Sequence, residues 1–493
     1  MSIPPVSQDR CLYPVREKNV VHPWVDGVPF YERLHEAFMQ ARSRVWFLIS
    51  FLHRDFTFPN GQTLWDTLDT LHAKGIDVRV LFWRNPHFFN TSHLFLGDGE
   101  DLAFLRRRNA LWKARWDSSA EDVQHCHHQK FWLVDAGTPD EIGFVGGMVW
   151  GNTTLDTPAH LHQINSKHDI CVELHGPVVS DVTHTFVMRW NQIGVDPTAP
   201  LHWPDADRNE DLSWPLPPSE MTDRPKKASS LWVYEEDVMT DCRVQLSQTL
   251  KPGLYQALQS YDSIDVREGE TSIWAQYLLA LQHAQHSIYI ENQHPGEHKL
   301  LEALEAAIER GVHVVYVVPS QPMDAIYAEH KRVLAYRAGL ERGENVRPPR
   351  YLPEFEALGR LAQSELFTFA ALSIYRPSWP ASRPYAEIYV HAKICIVDGQ
   401  WATCGSANLV DISMHANHTE MNVSIWKPQL CRQWLKRLVE EHTDIDLSED
   451  ATEVEWLSRL RECASQNVER RAKKEPLQGH IYALDAGLYP SSS

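Results

Sequence analysis

Apolar and polar positions follow two periods along this chain, and they run through the same order twice. In the first half RVWFLISFL (44–52) is a continuous apolar run that predicts a buried strand. LWDTLDTLHAKG (64–75) carries apolar residues at helical spacing, and IDVRVLFW (76–83) alternates as a β-branched strand. The second half repeats this order, with a helix over 277–284, a strand at HSIYIENQ (286–293), a helix at LLEALEAAIERG (300–311) and a strand at VHVVYVVP (312–319). Gly75 and Gly311 each stand where a helix stops before a buried strand.

Apolar strands alternating with helices predict an α/β fold of two similar sandwich lobes, with a site at their interface. The first lobe is expected over residues 1–200 and the second over 236–445. Residues 201–235 read as a linker, since 201–227 is rich in proline and charge. Residues 446–493 read as a polar, partly helical tail without assigned chemistry.

Composition narrows the partners. A chain of 493 residues with 43% hydrophobic and 23% charged positions is ordinary for a folded protein. Its formal charge of −18 argues against general nucleic-acid binding, which needs a positive surface. Arg106, Arg107, Arg108, Lys113 and Arg115 form one basic cluster, read first as a solvated helix face and second as a phosphate-attracting rim. The eight cysteines include no CxxC pair and read as free thiols of a reducing compartment. No apolar run reaches signal-peptide or spanning length, so the expected location is cytoplasmic or peripheral to a membrane, with export lacking a cleaved signal still compatible.

Two octapeptides carry the chemistry. HQKFWLVD (128–135) recurs as HAKICIVD (391–398), both of the form H-x-K-x-x-x-x-D, and each is followed by a small-residue turn, FVGG (144–147) or CGSAN (404–408). Both lie on alternating apolar segments and are expected on strands, where His and Lys two residues apart share a face. The aspartates fall on the opposite parity. Cleaving a phosphodiester needs a nucleophile, an acid for the leaving oxygen and cations for the non-bridging oxygens. One half supplies a single histidine and a single lysine, whereas two halves face to face supply the set without a metal.

These motifs resemble the phospholipase D superfamily, over roughly residues 40–440, and especially the catalytic core of its eukaryotic-type lipases. IYIENQ (288–293), KHDICVELHGPVV (167–179), RWN (189–191) and HTEMNV (418–423) extend the likeness. The resemblance implies a candidate catalytic set of His128, Lys130, Asp135, His391, Lys393 and Asp398, with the two aspartates mainly structural. It implies His128 as nucleophile, His391 as general acid and then base, and Lys130, Lys393 and Asn408 on the phosphoryl oxygens. Asp169 and Glu420 would each orient an imidazole. One departure stands out: GGMV ends in Val149 where the second half has Asn408, and Asn152 is a conceivable substitute.

Simpler readings compete at several places. The run His125, Cys126, His127, His128 lacks a second ligand pair at zinc spacing, so neither metal nor cofactor is expected. His168 reads as structural beside Asp169. The aromatic stretch 81–97 offers Phe88, Phe89, Leu94, Phe95 and Leu96 either as lipid contacts or as a loop packed on its own lobe. The resemblance implies hydrolysis of a glycerophospholipid at a membrane surface to phosphatidic acid and a head-group alcohol, through a phosphohistidine, with transphosphatidylation to added alcohols. The alternatives are a cardiolipin synthase-like phosphatidyltransferase, a nuclease of the same superfamily, and a catalytically inactive phospholipid-binding protein.

Overall fold

The computed structural model describes residues 3–84, 94–117, 125–161, 166–193, 202–203, 211–213, 238–255, 266–380, 382–415 and 417–490. Most of 201–235, expected as a linker, lies outside the described residues. The first half contains β1 (Arg16–Val25), α1 (Gly27–Gln40), β2 (Arg44–Ile49), α2 (Leu64–Ala73), β3 (Asp77–Trp83), α3 (Gly99–Arg108), β4 (Lys113–Asp117), β5 (Phe131–Val134), β6 (Ile142–Gly146), β7 (Lys167–His168), β8 (Ile170–His175) and α4 (Pro177–Gln192). After β9 (His202–Trp203), the second half contains β10 (Met239–Leu250), β11 (Glu270–Thr271), α5 (Ser272–His283), β12 (Ser287–Glu291), α6 (His298–Glu309), β13 (His313–Val317), α7 (Asp324–Glu341), α8 (Leu352–Leu361), β14 (Phe367–Tyr375), β15 (Tyr385–Val390), β16 (Ile394–Val397), β17 (Trp401–Gly405), α9 (Asp411–Met414), β18 (Glu420–Trp426) and α10 (Pro428–Thr443). The chain closes with α11 (Glu453–Lys473) and β19 (Ile481–Ala483).

Strand pairing shows the duplication directly. The first half runs β4-β3-β2-β5-β6-β8-β1, and the second runs β14-β13-β12-β16-β17-β18-β10. In both, the first three strands are parallel and the rest antiparallel. β1 and β10 then pair antiparallel and join the lobes edge to edge. Two sheet edges that would each expose a hydrogen-bonding ladder are thereby consumed.

Alternation along these strands divides the core into three parts. On β5, Trp132 and Val134 face the cluster under α1 and α2, whereas Phe131 and Leu133 face a central cluster. On β16, Cys395 and Val397 face the cluster under α5, α6 and α8, and Ile394 and Ile396 face the same centre. The central cluster is closed by α4, α10 and α11, through residues such as Phe186, Trp434 and Leu460. The residues after 446 thus contribute packing: α11 buries Trp456, Leu457 and Leu460, and β19 pairs antiparallel with β14.

Phe95 and Leu96 are 2% and 7% exposed and do not line the cavity that holds His128 and His391, which overturns their reading as lipid contacts, whereas Leu94 does line it. Phe95 packs on Trp65 and Phe82, and burial in this aromatic core outweighs any exposed role. Phe88 and Phe89 lie outside the described residues. Arg108 at the end of α3 pairs with Asp66 and Asp69, and Arg115 stacks on Trp190 while donating to its carbonyl. All eight cysteines are buried and free.

The two motif aspartates hold the corresponding corners of the lobes. Asp135 accepts from the amides of Arg42, Ser43 and Arg44, and Asp398 from those of Gln285, His286 and Ser287. Both sit at left-handed φ, 50° and 53°, so that the side chain turns back onto the start of β2 or β12. Asp398→Ala removes the acceptor for three amides and is expected to cost about 2–3 kcal/mol. A lowered denaturant midpoint at unchanged slope checks this, with Asp398→Asn recovering part of the loss.

Candidate active site

The H-x-K triplets were expected on strands, but they occupy short extended breaks just before β5 and β16. The reason is that their amides bond to the opposite lobe. His128 N–H donates to the Thr419 carbonyl and Thr419 N–H to the Cys126 carbonyl. His391 and Ala392 N–H both donate to the His168 carbonyl, beside the parallel pairing of β15 with β7. Each catalytic segment is therefore anchored to the strand that carries the other half's acidic residue.

The side chains cross in the same way. His128 Nδ1 lies 3.0 Å from both Glu420 oxygens, and His391 Nδ1 lies 2.6 Å from Asp169 Oδ2. A carboxylate only accepts, so Nδ1–H donates and each Nε2 is left for chemistry. His128 and His391 are each 6% exposed and line one cavity of about 950 Å³ together with Val149 and Asn408. Lys130 and Lys393 are fully buried beneath them, with Nζ donating to the carbonyls of His128 and His391, respectively. Lys393 also donates to Gln293 Oε1 at 3.2 Å.

Burial dominates the electrostatics. It pulls His128 down to about 4 against the opposing charge of Glu420, so the imidazole is neutral near pH 7. Burial also lowers Lys130 to about 8 and Lys393 to about 7, where Lys130 adds repulsion. The two carboxylates differ. Burial alone would raise Glu420, yet His128 and the hydrogen bonds around it hold it well below the usual range. Ser406 and Ser413 hydroxyls donate to its oxygens at 2.6 and 2.7 Å. Burial lifts Asp169 to about 7, despite Lys393 and the Ile170 amide.

Several residues at the site were missed by sequence reasoning. Lys167 and His418 line the cavity two residues before Asp169 and Glu420, and this K-x-D and H-x-E spacing was a usable signal. Phe51 adopts a left-handed φ of 61°, which sets its ring 5.9 Å from His128 and 5.9 Å from Lys130 Nζ. Asn292 holds the following turn by accepting from the amides of Leu409 and His294. Arg189, from the RWN segment, bridges Gln129 and Asp117. Asn152, the conceivable substitute for Val149, is exposed and does not line the cavity. Asp135, Asp398 and the basic cluster of residues 106–115 also lie away from it. Burial pushes the Cys126 thiol up, which disfavours a thiolate nucleophile.

Gly147 has a specific reason to be glycine. A Cβ there would lie 2.3 Å from Asp169 Oδ1, whereas the corresponding Ser406 donates to Glu420. Gly147→Ala is expected to displace the carboxylate that orients His391 and to lower kcat by roughly 10²-fold. Turnover measured beside the melting temperature checks that the loss exceeds any unfolding.

An oxyanion in this pocket stabilises the ammonium forms of Lys130 and Lys393, so the complex holds more protons than the free protein. Inorganic phosphate or vanadate is expected to bind with proton uptake at pH 7.5 and more weakly as pH rises from 7 to 9. Calorimetry in buffers of differing ionisation enthalpy measures this, and binding without proton uptake contradicts it.

Comparison with known proteins gives a consistent picture. A family model described as "Cardiolipin synthase, PLD-like domain" matches residues 277–441. Phospholipase D delta of Arabidopsis thaliana is 24% identical over 61% of this chain and 44% of its own length. Phospholipase D1 of Saccharomyces cerevisiae is 23% identical over 93% of this chain and 31% of its own. Cardiolipin synthase B of Salmonella typhimurium is 23% identical over 82% of this chain and 75% of its own. The chain thus spans about half or less of the length of the plant and yeast relatives. A phosphatidylserine synthase of Haemophilus influenzae shares the fold at 14% identity, with a TM-score of 0.50 over 96% of this chain and 97% of that one.

Proposed function

We propose, on the premise that the chain belongs to the phospholipase D superfamily of phosphodiesterases and phosphatidyltransferases, that it cleaves glycerophospholipids to phosphatidic acid and a free head-group alcohol. The observation that carries this reading is the pair of crossed imidazole–carboxylate contacts above two buried lysines, at the base of one cavity. His128 Nε2 attacks phosphorus, and the bond to the head-group oxygen breaks as His391 Nε2–H protonates that oxygen. Neutral His391 then takes a proton from water, the water oxygen attacks phosphorus, and the P–N bond returns its electrons to His128. Lys130, Lys393 and Asn408 hold the non-bridging oxygens.

The firmly ionised Glu420 favours His128 as the nucleophile. It stabilises positive charge developing on the ring as Nε2 bonds to phosphorus. Burial lifts Asp169 to about 7 and, with Lys393 beside it, holds His391 well below the ordinary imidazole range, so the acid form of His391 forms only as the anionic substrate enters.

The cavity walls favour a lipid over a nucleic-acid diester. Beyond the charged base they are lined by Met323, Ile326, Tyr351, Phe355 and Ile412, with Arg332 and Arg350 among the polar lining residues. Among the described residues no helix is long and apolar enough to cross a membrane. A second reading, in which a lipid hydroxyl replaces water as acceptor, draws on the family model's own description.

Mixed phospholipid vesicles with added ethanol test both readings. Phosphatidic acid and phosphatidylethanol are expected from the wild type, with His128→Ala and His391→Ala each lowering turnover by roughly 10³-fold or more. With an activated leaving group that needs no acid, His391→Ala accumulates phosphohistidine and His128→Ala does not. Cardiolipin formed from phosphatidylglycerol selects the transferase reading. No turnover of any lipid overturns both.

A further inference from the structure

Behind His391 lies a second, buried group of polar side chains that the proposed reaction does not use. Asp26 follows β1, His160 precedes β7, His168 lies on β7, and Glu441 projects from α10 of the other lobe. One donor atom from each of these four lies within 4.8 Å of all the others. His160 Nε2 is 3.4 Å from Asp26 Oδ2 and 4.0 Å from Glu441 Oε1. His168 Nδ1 is 3.0 Å from Asp26 Oδ1 and 3.4 Å from Glu441 Oε1. Tetrahedral ligands at ordinary zinc–nitrogen and zinc–oxygen distances stand roughly 3.3 Å apart.

Two independent observations point to a ligand. First, Asp26 Oδ2, His160 Nε2 and Glu441 Oε1 are all buried without a hydrogen-bond partner, while His168 Nδ1 is paired with Asp26 Oδ1. Their side chains are 0%, 0% and 6% exposed, so bulk water does not reach them. Such orphaned atoms are rare unless something occupies the space between them. Second, the outer nitrogen of each imidazole is already engaged. His168 Nε2 lies 2.9 Å from Glu291 Oε2, and His160 Nδ1 lies 2.8 Å from Ser166 Oγ. Glu291 is in turn fixed by His442 Nε2 at 2.9 Å and by the Tyr289 hydroxyl. A carboxylate on the far nitrogen of a histidine is the outer-sphere arrangement of metal-binding imidazoles.

We propose that Asp26, His160, His168 and Glu441 form a binding site for one divalent cation of zinc type, which clamps the two lobes behind the active site. The carboxylates of Asp26 and Glu441 offset the charge of a divalent ion in this buried space. Asp26 holds a left-handed φ of 64°, a strained conformation that the site would repay. The clamp reaches the reaction centre through the backbone. Asp169 N–H donates to Asp26 Oδ1, and the His168 carbonyl receives the amides of His391 and Ala392. The cation therefore serves as a structural ligand that positions the His391–Asp169 pair and takes no part in bond breaking.

The test uses the full chain, stripped with a chelator and titrated with zinc chloride against a chromogenic competitor, with metal content measured by mass spectrometry. About one zinc per chain is expected, with a rise of several degrees in melting temperature. His160→Ala and Glu441→Gln are each expected to weaken binding by about tenfold or more, and His160→Cys to retain it. His418→Ala, which removes a ligand from the separate His128–His418–Glu420 group in the cavity, is expected to leave the stoichiometry unchanged. Wild-type protein that binds no zinc and does not melt higher with it overturns the proposal, even where the variants fail to fold. Zinc lost in His418→Ala but kept in Glu441→Gln overturns it equally, by placing the ion in the cavity.

Discussion

The crossed pairing of each catalytic imidazole with the other lobe's carboxylate is the constraint on which the rest of this architecture depends. His128 is in register only if Glu420 arrives from β18, and His391 only if Asp169 arrives from the segment before β8. Neither lobe orients its own histidine. The edge-to-edge joining of β1 and β10, the shared central core and the backbone bonds from His128 to Thr419 and from His391 to His168 all fix this one relationship. A rotation of one lobe by a few degrees would separate both pairs at once, so docking and catalysis are a single requirement.

Burying two lysines side by side works against stability. Taking an ammonium out of water costs several kcal/mol, and neighbouring positive charge adds to it. The protein offsets part of this with the main-chain carbonyls of His128 and His391 and with Gln293, and part by letting the lysine pKa values fall. On the proposed reading, a phosphoryl group relieves the remaining cost on entering. The pocket is thus preorganised for an anion and uncomfortable without one, which is the electrostatic form of transition-state complementarity.

The sequence made the scaffold legible because the duplication repeats period, order and motif together, and two coincident octapeptides specify a face, a spacing and a partner. Parity set the aspartates opposite His and Lys, while their structural weight was what the family resemblance implied. What the sequence could not give was pairing between distant segments. Nothing in Asp169 or Glu420 says which histidine each serves, because that depends on how the lobes dock. The aromatic stretch near 95 was ambiguous for a related reason: Phe95 reads alike in a core or on a membrane until Trp65 and Phe82 close over it. The group formed by Asp26, His160, His168 and Glu441 was invisible, since its members come from three separate stretches of chain and carry no ligand spacing.

Duplication supplied two equivalent half-sites, and the differences between them give the pocket a direction. Position by position, Gly147 stands opposite Ser406, Val149 opposite Asn408 and Phe51 opposite His294. Each substitution exchanges a polar group for an apolar or missing one on the first-lobe side. Next to the two histidines the second lobe places Gln293, His294 and Asn408, and the first lobe Phe51, Leu94 and Val149 beside His53 and Lys167. A symmetric diester would gain nothing from such a division. On the proposed reading, a diester with unlike arms meets unlike neighbours on its two sides, so its two orientations differ in energy. The orientation also decides which histidine meets the leaving oxygen. Divergence of the walls and assignment of the two histidines are in this sense one event, with the strand scaffold left unchanged beneath them.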